Sequence, residues 1–177
     1  MSEELVSSRR IYDGRVVSLR LDRVRLPSGR ETEREIVEHA GAVGVVALDD
    51  QGDVLLVRQF RSALGRMLLE IPAGTVAEGE GARVCAFREL VEETGYSAKQ
   101  MEELYYFYSS PGFSNERIWL FLATNLQPGS QEPEIDETIE VVKLPLERAL
   151  GMVEDGEISD GKSILGLLAA RARVKSG

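Results

Sequence analysis

"GTVAEGEGARVCAFRELVEETGY" runs from Gly74 to Tyr96, and its reading decides the fold. Glu89, Glu92 and Glu93 crowd into five residues of a stretch that otherwise has the pattern of one amphipathic helix. The spacing predicts a helix from Glu80 to Thr94, closed by Gly95 as the C′ residue. With Glu89 at zero and about 100° per residue, Leu90, Phe87, Val91 and Val84 fall between about 100° and 220°. Glu92 and Glu93 fall near −60° and +40° on the same wheel. The expectation is an apolar side docked on a sheet and an opposite side bearing carboxylates. Like charges at i+3 and i+4 destabilise a helix by about 0.2–0.5 kcal/mol per pair. Hard oxygen ligands on one short face suit Mg²⁺, with Mn²⁺ as the alternative, and a bound ion relieves the repulsion.

Outward from this helix the chain alternates between apolar runs and turns. Upstream, "RVVSLRLDRVRLP" and "ETEREIVEH" predict two or three antiparallel strands around a hairpin turn at Pro27–Gly29. "AVGVVALDDQGDVLLVRQF" reads as two strands around a turn at Asp49–Gly52, and "MLLEIPAG" as a short strand stopped by Pro72 and Gly74. Downstream, "LYYFYSSPG" and "RIWLFLATNL" are strands separated by a loop from Ser109 to Glu116. An acidic loop, "QPGSQEPEIDET", precedes the strand "IEVVKLP", and helices over Leu146–Glu154 and Ser163–Val174 complete the chain. This order implies an α/β (α+β) layered domain with a mixed sheet. The division expected is residues 1–38 as an N-terminal antiparallel β extension, too short to bury a core of its own, and 39–177 as the main domain.

Composition narrows the function classes. The 177 residues are 43% hydrophobic and 29% charged, with a net charge of −9. That balance argues against nucleic acid and anionic membrane as partners, both of which need clustered basic charge. No apolar run reaches the roughly 18 residues of a membrane span, and "MSEELVSSRR" lacks the apolar stretch of a signal peptide. A single cysteine, Cys85, forms no internal disulfide, which suits a cytoplasmic location. His39 is the only histidine and reads as a strand-end residue, so neither a histidine-rich metal site nor a Ser-His-Asp triad is in view. Trp119 and Tyr105, Tyr106 and Tyr108 read as core and interface rather than as a platform for stacking bases.

Gly74, five residues, Glu80, seven residues, Arg88-Glu89-Leu90, one residue, Glu92-Glu93, one residue and Gly95-Tyr96 match a full motif, G-x5-E-x7-R-E-U-x-E-E-x-G-U, where U is apolar or aromatic. Seven identities at these spacings arise by chance in roughly one chain of this size in a million. The motif is the Nudix box, and the chain resembles a Nudix hydrolase over nearly its whole length. "RQFR" before the box, "LEIPAG" leading into it and Pro111, 16 residues beyond Gly95, resemble the ADP-ribose pyrophosphatase branch.

The resemblance implies a Nudix-type α/β/α sandwich and hydrolysis of a nucleoside diphosphate linked to a second moiety, by attack of water on phosphorus. Glu89, Glu92, Glu93 and the Ala73 carbonyl would ligate the metal, Glu80 would support the loop or the outer shell of the metal, and Arg88 would hold the box carboxylates. The general base would come from the acidic loop, where Glu134, Glu137 and Glu140 are candidates and Glu137 is favoured; in some relatives a box glutamate serves instead. Glu137, Glu92 and Arg88 thus form the expected catalytic set, and Arg61, Glu70 and Pro111 the substrate-binding set. The expected reaction is Mg²⁺-dependent cleavage of ADP-ribose to AMP and ribose 5-phosphate in a homodimer paired through the N-terminal extension. The alternatives are another nucleotide sugar or dinucleotide, such as GDP-mannose, NADH or FAD, and a catalytically silent nucleotide sensor. The last would be expected to lose box carboxylates, and this chain keeps them.

Overall fold

"AVGVVAL", an unbroken apolar run, is the signature of a strand covered on both faces, and it becomes the central strand of the larger sheet. The computed structural model describes residues 2–131 and 138–174. It divides into two compact units, residues 1–41 with 107–117 and residues 42–106 with 118–177.

The first unit is built on a three-stranded antiparallel sheet of β1 (Glu4–Asp13), β2 (Val17–Arg25) and β3 (Glu31–His39), in that order. The predicted turn closes it: the Leu26 N–H donates to the Arg30 carbonyl, and Gly29 takes a left-handed φ of 84°. Loop 109–116 hydrogen-bonds to β3 through Val37 and Asn115. His39 ends β3, and its Nδ1 accepts the Gly41 N–H at 2.9 Å.

In the second unit β4 (Ala42–Leu48) runs parallel to β9 (Arg117–Pro128) and antiparallel to β5 (Asp53–Arg61). The sheet order is β10-β5-β4-β9-β8, with β8 at Tyr96–Tyr108 and β10 at Ile139–Pro145; β6 (Arg66–Glu70) pairs with β5, and β7 (Ala73–Thr75) with β4. Both parallel and antiparallel pairs are present, so the sheet is mixed as expected. Alternation along β4 divides its burial between two layers. Val43, Val45 and Ala47 pack with Leu90, Cys85 and Ala86 of α1 (Ala82–Thr94), together with Phe121 and Met101. Gly44 and Val46 face the other way, where a Cβ on Gly166 of α3 (Gly161–Val174) would lie 2.9 Å from Val46 and 3.1 Å from Ile71. Between β10 and α3, α2 (Leu146–Glu154) begins with the Leu146 N–H on the Gly52 carbonyl. Helices on both faces of a mixed sheet make the α/β/α sandwich.

Three local expectations are corrected. The helix α1 begins at Ala82, because Gly79 takes a φ of 77° and Gly81 sits extended as the cap, which leaves Glu80 in the preceding loop. On α1 the docked side is Cys85, Ala86, Leu90, Glu93 and Thr94, whereas Val84 is 62% exposed. The wheel had placed Val84 on the apolar side and Glu93 on the open one; the residue-level choice is made by β7, whose backbone gives the Glu93 carboxylate a partner inside. Finally, β8 starts at Tyr96 rather than near Leu104. As an edge strand it buries only Met101 and Leu104, so its mostly polar first half carries a weak apolar signal.

Candidate active site

Pairing of β7 with β4 brings Gly74 opposite Val43 and lays the start of the box beside α1. The fit is tight: a Cβ on Gly74 would fall 1.9 Å from the Glu89 carboxyl carbon, so only glycine leaves room for that side chain. At the other end Gly95 has φ 74° and donates its N–H to Val91, the left-handed cap that the sequence predicts. A Cβ there would also lie 2.7 Å from the Gln131 backbone nitrogen. The two box glycines are therefore fixed by different requirements, room for a carboxylate and a left-handed turn under a close loop.

Arg88 is the hub of the carboxylates. Its Nε and Nη2 donate to Glu80 at 2.9 and 3.0 Å, and Nη1 donates to Glu89 at 2.7 Å and to Glu92 at 2.8 Å. Hydrogen bonds from Arg88 hold the Glu80 carboxyl down to about 2, and the same carboxylate accepts the Ala77 N–H, closing loop 77–80. Glu80, followed by the charge of Glu89 and the bond to Glu92, raises the guanidinium above its ordinary value. Glu93 stands apart from this hub: its residue is 2% exposed, and its Oε2 accepts the Ala73 N–H at 2.8 Å. Glu80, Glu89, Glu92 and Glu93 thus gather around one guanidinium and one backbone amide. Cys85, one turn before Glu89, is buried, and its thiol is pushed up to about 12 by burial and then by the Glu89 charge, which makes it an inert packing residue.

Among the described residues, no three or more His, Cys, Asp or Glu side chains form a ready-made cage for one ion. The donor set fits a hydrated divalent cation, which takes one or two carboxylates and completes its shell with water and phosphate oxygens. The excess of carboxylates over Arg88 and the glycine cradle under Glu89 point the same way.

A second charged cluster is built on the β5–β6 hairpin and the start of α3. Arg61 donates Nε and Nη2 to the two oxygens of Glu70 at 2.8 and 2.7 Å, a bidentate pair. Lys162 donates to the same Glu70 Oε2 and, at 2.9 Å, to Asp160. Burial alone would raise the Glu70 carboxyl, but the Arg61 hydrogen bonds and the Lys162 charge overcome it and bring it to about 2. Arg61 is raised in turn by Glu70, with the charges of Glu93 and Asp160 adding to the effect.

Of the residues singled out in the sequence, Ala73, Arg88, Glu89, Glu92 and Glu93 come together around α1 and β7, and Arg61 and Glu70 pair beside them in the second unit. Glu70 is 1% exposed, with both carboxylate oxygens engaged by Arg61 and Lys162. Pro111 is exposed on loop 109–116 of the first unit. Glu140 lies on β10, paired with Arg58 at 3.2 Å, while Glu134 and Glu137 lie outside the described residues. Lys162 and Asp160 were missed. Asp160 accepts the Ser163 N–H at 3.0 Å just ahead of an apolar run, so its capping position was readable from "SDGKSIL"; a role for Lys162 was not.

The NUDIX domain matches residues 38–165, and the nucleoside diphosphate sugar hydrolase N-terminal domain matches residues 3–37. The chain is 42% identical over 165 residues to an ADP-ribose pyrophosphatase of Bacillus subtilis (strain 168), covering 92% of this chain and 89% of that one. It is 41% identical over the same length and shares to a methanol dehydrogenase activator of Bacillus methanolicus. A crystal structure of an ADP compounds hydrolase is similar in fold, with a TM-score of 0.88 at 21% identity over 99% of this chain and 96% of that one.

Proposed function

We infer the function from one premise: the chain belongs to the Nudix family and is a Nudix hydrolase. Its reaction is hydrolysis of the pyrophosphate bond of ADP-ribose to AMP and ribose 5-phosphate by attack of water on phosphorus. The observation that carries this reading is the gathering of Glu80, Glu89 and Glu92 of the box on one guanidinium, in the same unit as a bidentate Arg61–Glu70 pair built from "RQFR" and "LEIPAG". The similarity to the Bacillus subtilis ADP-ribose pyrophosphatase supports the choice of substrate.

Nudix hydrolases generally use divalent metal ions, and Mg²⁺ is the ion proposed here, with Mn²⁺ as a substitute. Glu89, Glu92, Glu93 and the Ala73 carbonyl would hold it. When bound, Mg²⁺ polarises phosphoryl oxygens and lowers the pKa of coordinated water. Arg88 orients Glu89 and Glu92. Arg61 binds the anionic diphosphate, with Glu70 fixing its orientation, and Pro111 lines the substrate. Glu137 takes the proton of the attacking water as general base. Residues 1–38 form the extension that pairs two protomers and 39–177 the hydrolase domain; support for the pairing comes from β1, all of whose residues are exposed, Leu5 and Tyr12 by 59% each. Among the described residues no helix is long and apolar enough to cross a membrane, and the enzyme is proposed to act in the cytoplasm.

Product analysis with Mg²⁺ tests the substrate. ADP-ribose should give the highest kcat/KM in a panel with GDP-mannose, NADH, FAD and diadenosine polyphosphates. A tenfold preference for any other member would overturn the assignment to ADP-ribose.

A further inference from the structure

Glu70 is the most deeply buried carboxylate of the two charged clusters, and it is shared between two cations. Arg61 takes both of its oxygens, and Lys162 takes Oε2 a second time. The lysine is itself held: its ammonium donates to Asp160 at 2.9 Å, and only 12% of its side chain is exposed. Asp160 also accepts the Ser163 N–H at 3.0 Å and the Ser163 hydroxyl at 2.6 Å. Ser163, fully buried, accepts the Ile71 N–H at 2.8 Å. The first turn of α3 thus grips two consecutive residues, 70 and 71, directly ahead of Pro72 and Ala73.

Charges this buried are poor stabilisers, since well-packed apolar groups of the same volume do as well or better. What a buried ionic chain supplies is orientation. Glu70 occupies Nε and Nη2 of Arg61, so among the described residues Nη1 is the nitrogen left without a protein partner. Because Glu70 is divided between two cations, it neutralises neither fully, and Arg61 keeps positive potential for an anion. Take Lys162 away, and the Glu70 charge falls on Arg61 alone, which lowers the potential that Arg61 offers an anion.

We propose that Lys162, anchored by Asp160, is a positioning residue that sets the substrate-binding edge of Arg61 through Glu70. The proposal rests on the reading of Arg61 as a diphosphate contact and adds to it the element that aims it.

Steady-state kinetics of Lys162→Met, Lys162→Arg, Arg61→Ala and the double variant test this, with ADP-ribose or whichever panel compound the parent turns over fastest. Lys162→Met should raise KM by roughly tenfold with kcat changed less than about threefold, and Lys162→Arg should recover most of the loss. In the Arg61→Ala background the same substitution should have almost no further effect, because the lysine acts through the arginine. If Lys162→Met does not fold, Asp160→Asn keeps the helix cap and loosens the lysine; its KM should rise about threefold and that rise should vanish without Arg61. Effects that add independently, or that fall on kcat and KM alike with a lowered Tm, would overturn the proposal. An Arg61→Ala variant with parental KM would instead sink the diphosphate contact itself, and the positioning role with it.

Discussion

The two charged clusters of the second unit differ in net charge and in how evenly their charges are paired. Around α1, one guanidinium serves Glu80, Glu89 and Glu92, with Glu93 on a backbone amide nearby, so negative charge is in excess. Around Glu70, one carboxylate serves Arg61 and Lys162, and Asp160 completes a chain of two cations and two anions. The second, closed cluster pairs its cations and anions evenly; the first, open one has more carboxylates than cations. An arrangement with carboxylates in excess is where a cation belongs, and one that the chain closes is where a contact such as Arg61 is held in position.

Breaking the open cluster should have the largest effect. Glu93→Gln keeps an acceptor for the Ala73 N–H but removes a charge from the metal set. Its kcat/KM should fall by roughly 10³ or more, the order expected when metal-based stabilisation of the transition state is lost. A fall under tenfold would remove Glu93 from that set. Glu137→Gln should lower kcat by roughly 10²–10⁴ and leave KM and Mg²⁺ affinity nearly unchanged, as loss of a general base does. Parental activity in that variant would move the role to Glu134, Glu140 or a box carboxylate.

The closed cluster should show itself in stability against pH. Glu70 is held at about 2 in the fold against an ordinary 4.5. Its contribution is therefore fully present above about pH 4.5 and is lost as pH falls from there towards about 2, amounting to about 3 kcal/mol. Urea unfolding of parent and Glu70→Gln across this range measures it: the variant should lose stability near neutrality and show a shallower acid limb, though Glu80 still contributes. Identical acid limbs would contradict the assignment. A smaller effect is expected from Arg88→Gln, since Arg88 is a third exposed and solvent screens its pairs. Without metal the variant should lose about 1–2 kcal/mol and regain part of it on adding Mg²⁺, whereas a loss that Mg²⁺ does not touch would separate Arg88 from the metal-binding carboxylates.

The clusters also differ in how legible they were. The open one is local: its residues lie within the 22 positions from Gly74 to Gly95, on a loop and one helix, so a single continuous motif announced it and placed the two glycines at its ends. The wheel resolved the helix into two sides, but not which residues the sheet would take. Glu93 went inward because the β7 backbone offers it an N–H, while Val84 stayed 62% exposed. The closed cluster joins Arg61 and Glu70 to Asp160 and Lys162, about 90 positions later. A lysine at the start of a helix reads as a solvated surface residue, and only the packing of α3 on the sheet makes it a partner of Glu70. The same reasoning explains the missed half of β8, whose register comes from an edge of the sheet rather than from its own composition.

The central claim is that the carboxylates of α1 are crowded for the sake of an ion, and thermal unfolding of parent and Glu93→Gln in EDTA and in Mg²⁺ tests it most directly. In EDTA the variant should melt at the parent's temperature or slightly above, relieved of about 0.2–0.5 kcal/mol of repulsion. Saturating Mg²⁺ at a hundred times its Kd should stabilise the parent by about 2.7 kcal/mol and the variant by much less. A variant strongly destabilised in EDTA, or stabilised by Mg²⁺ as much as the parent, would make Glu93 a structural element of the helix and contradict the account.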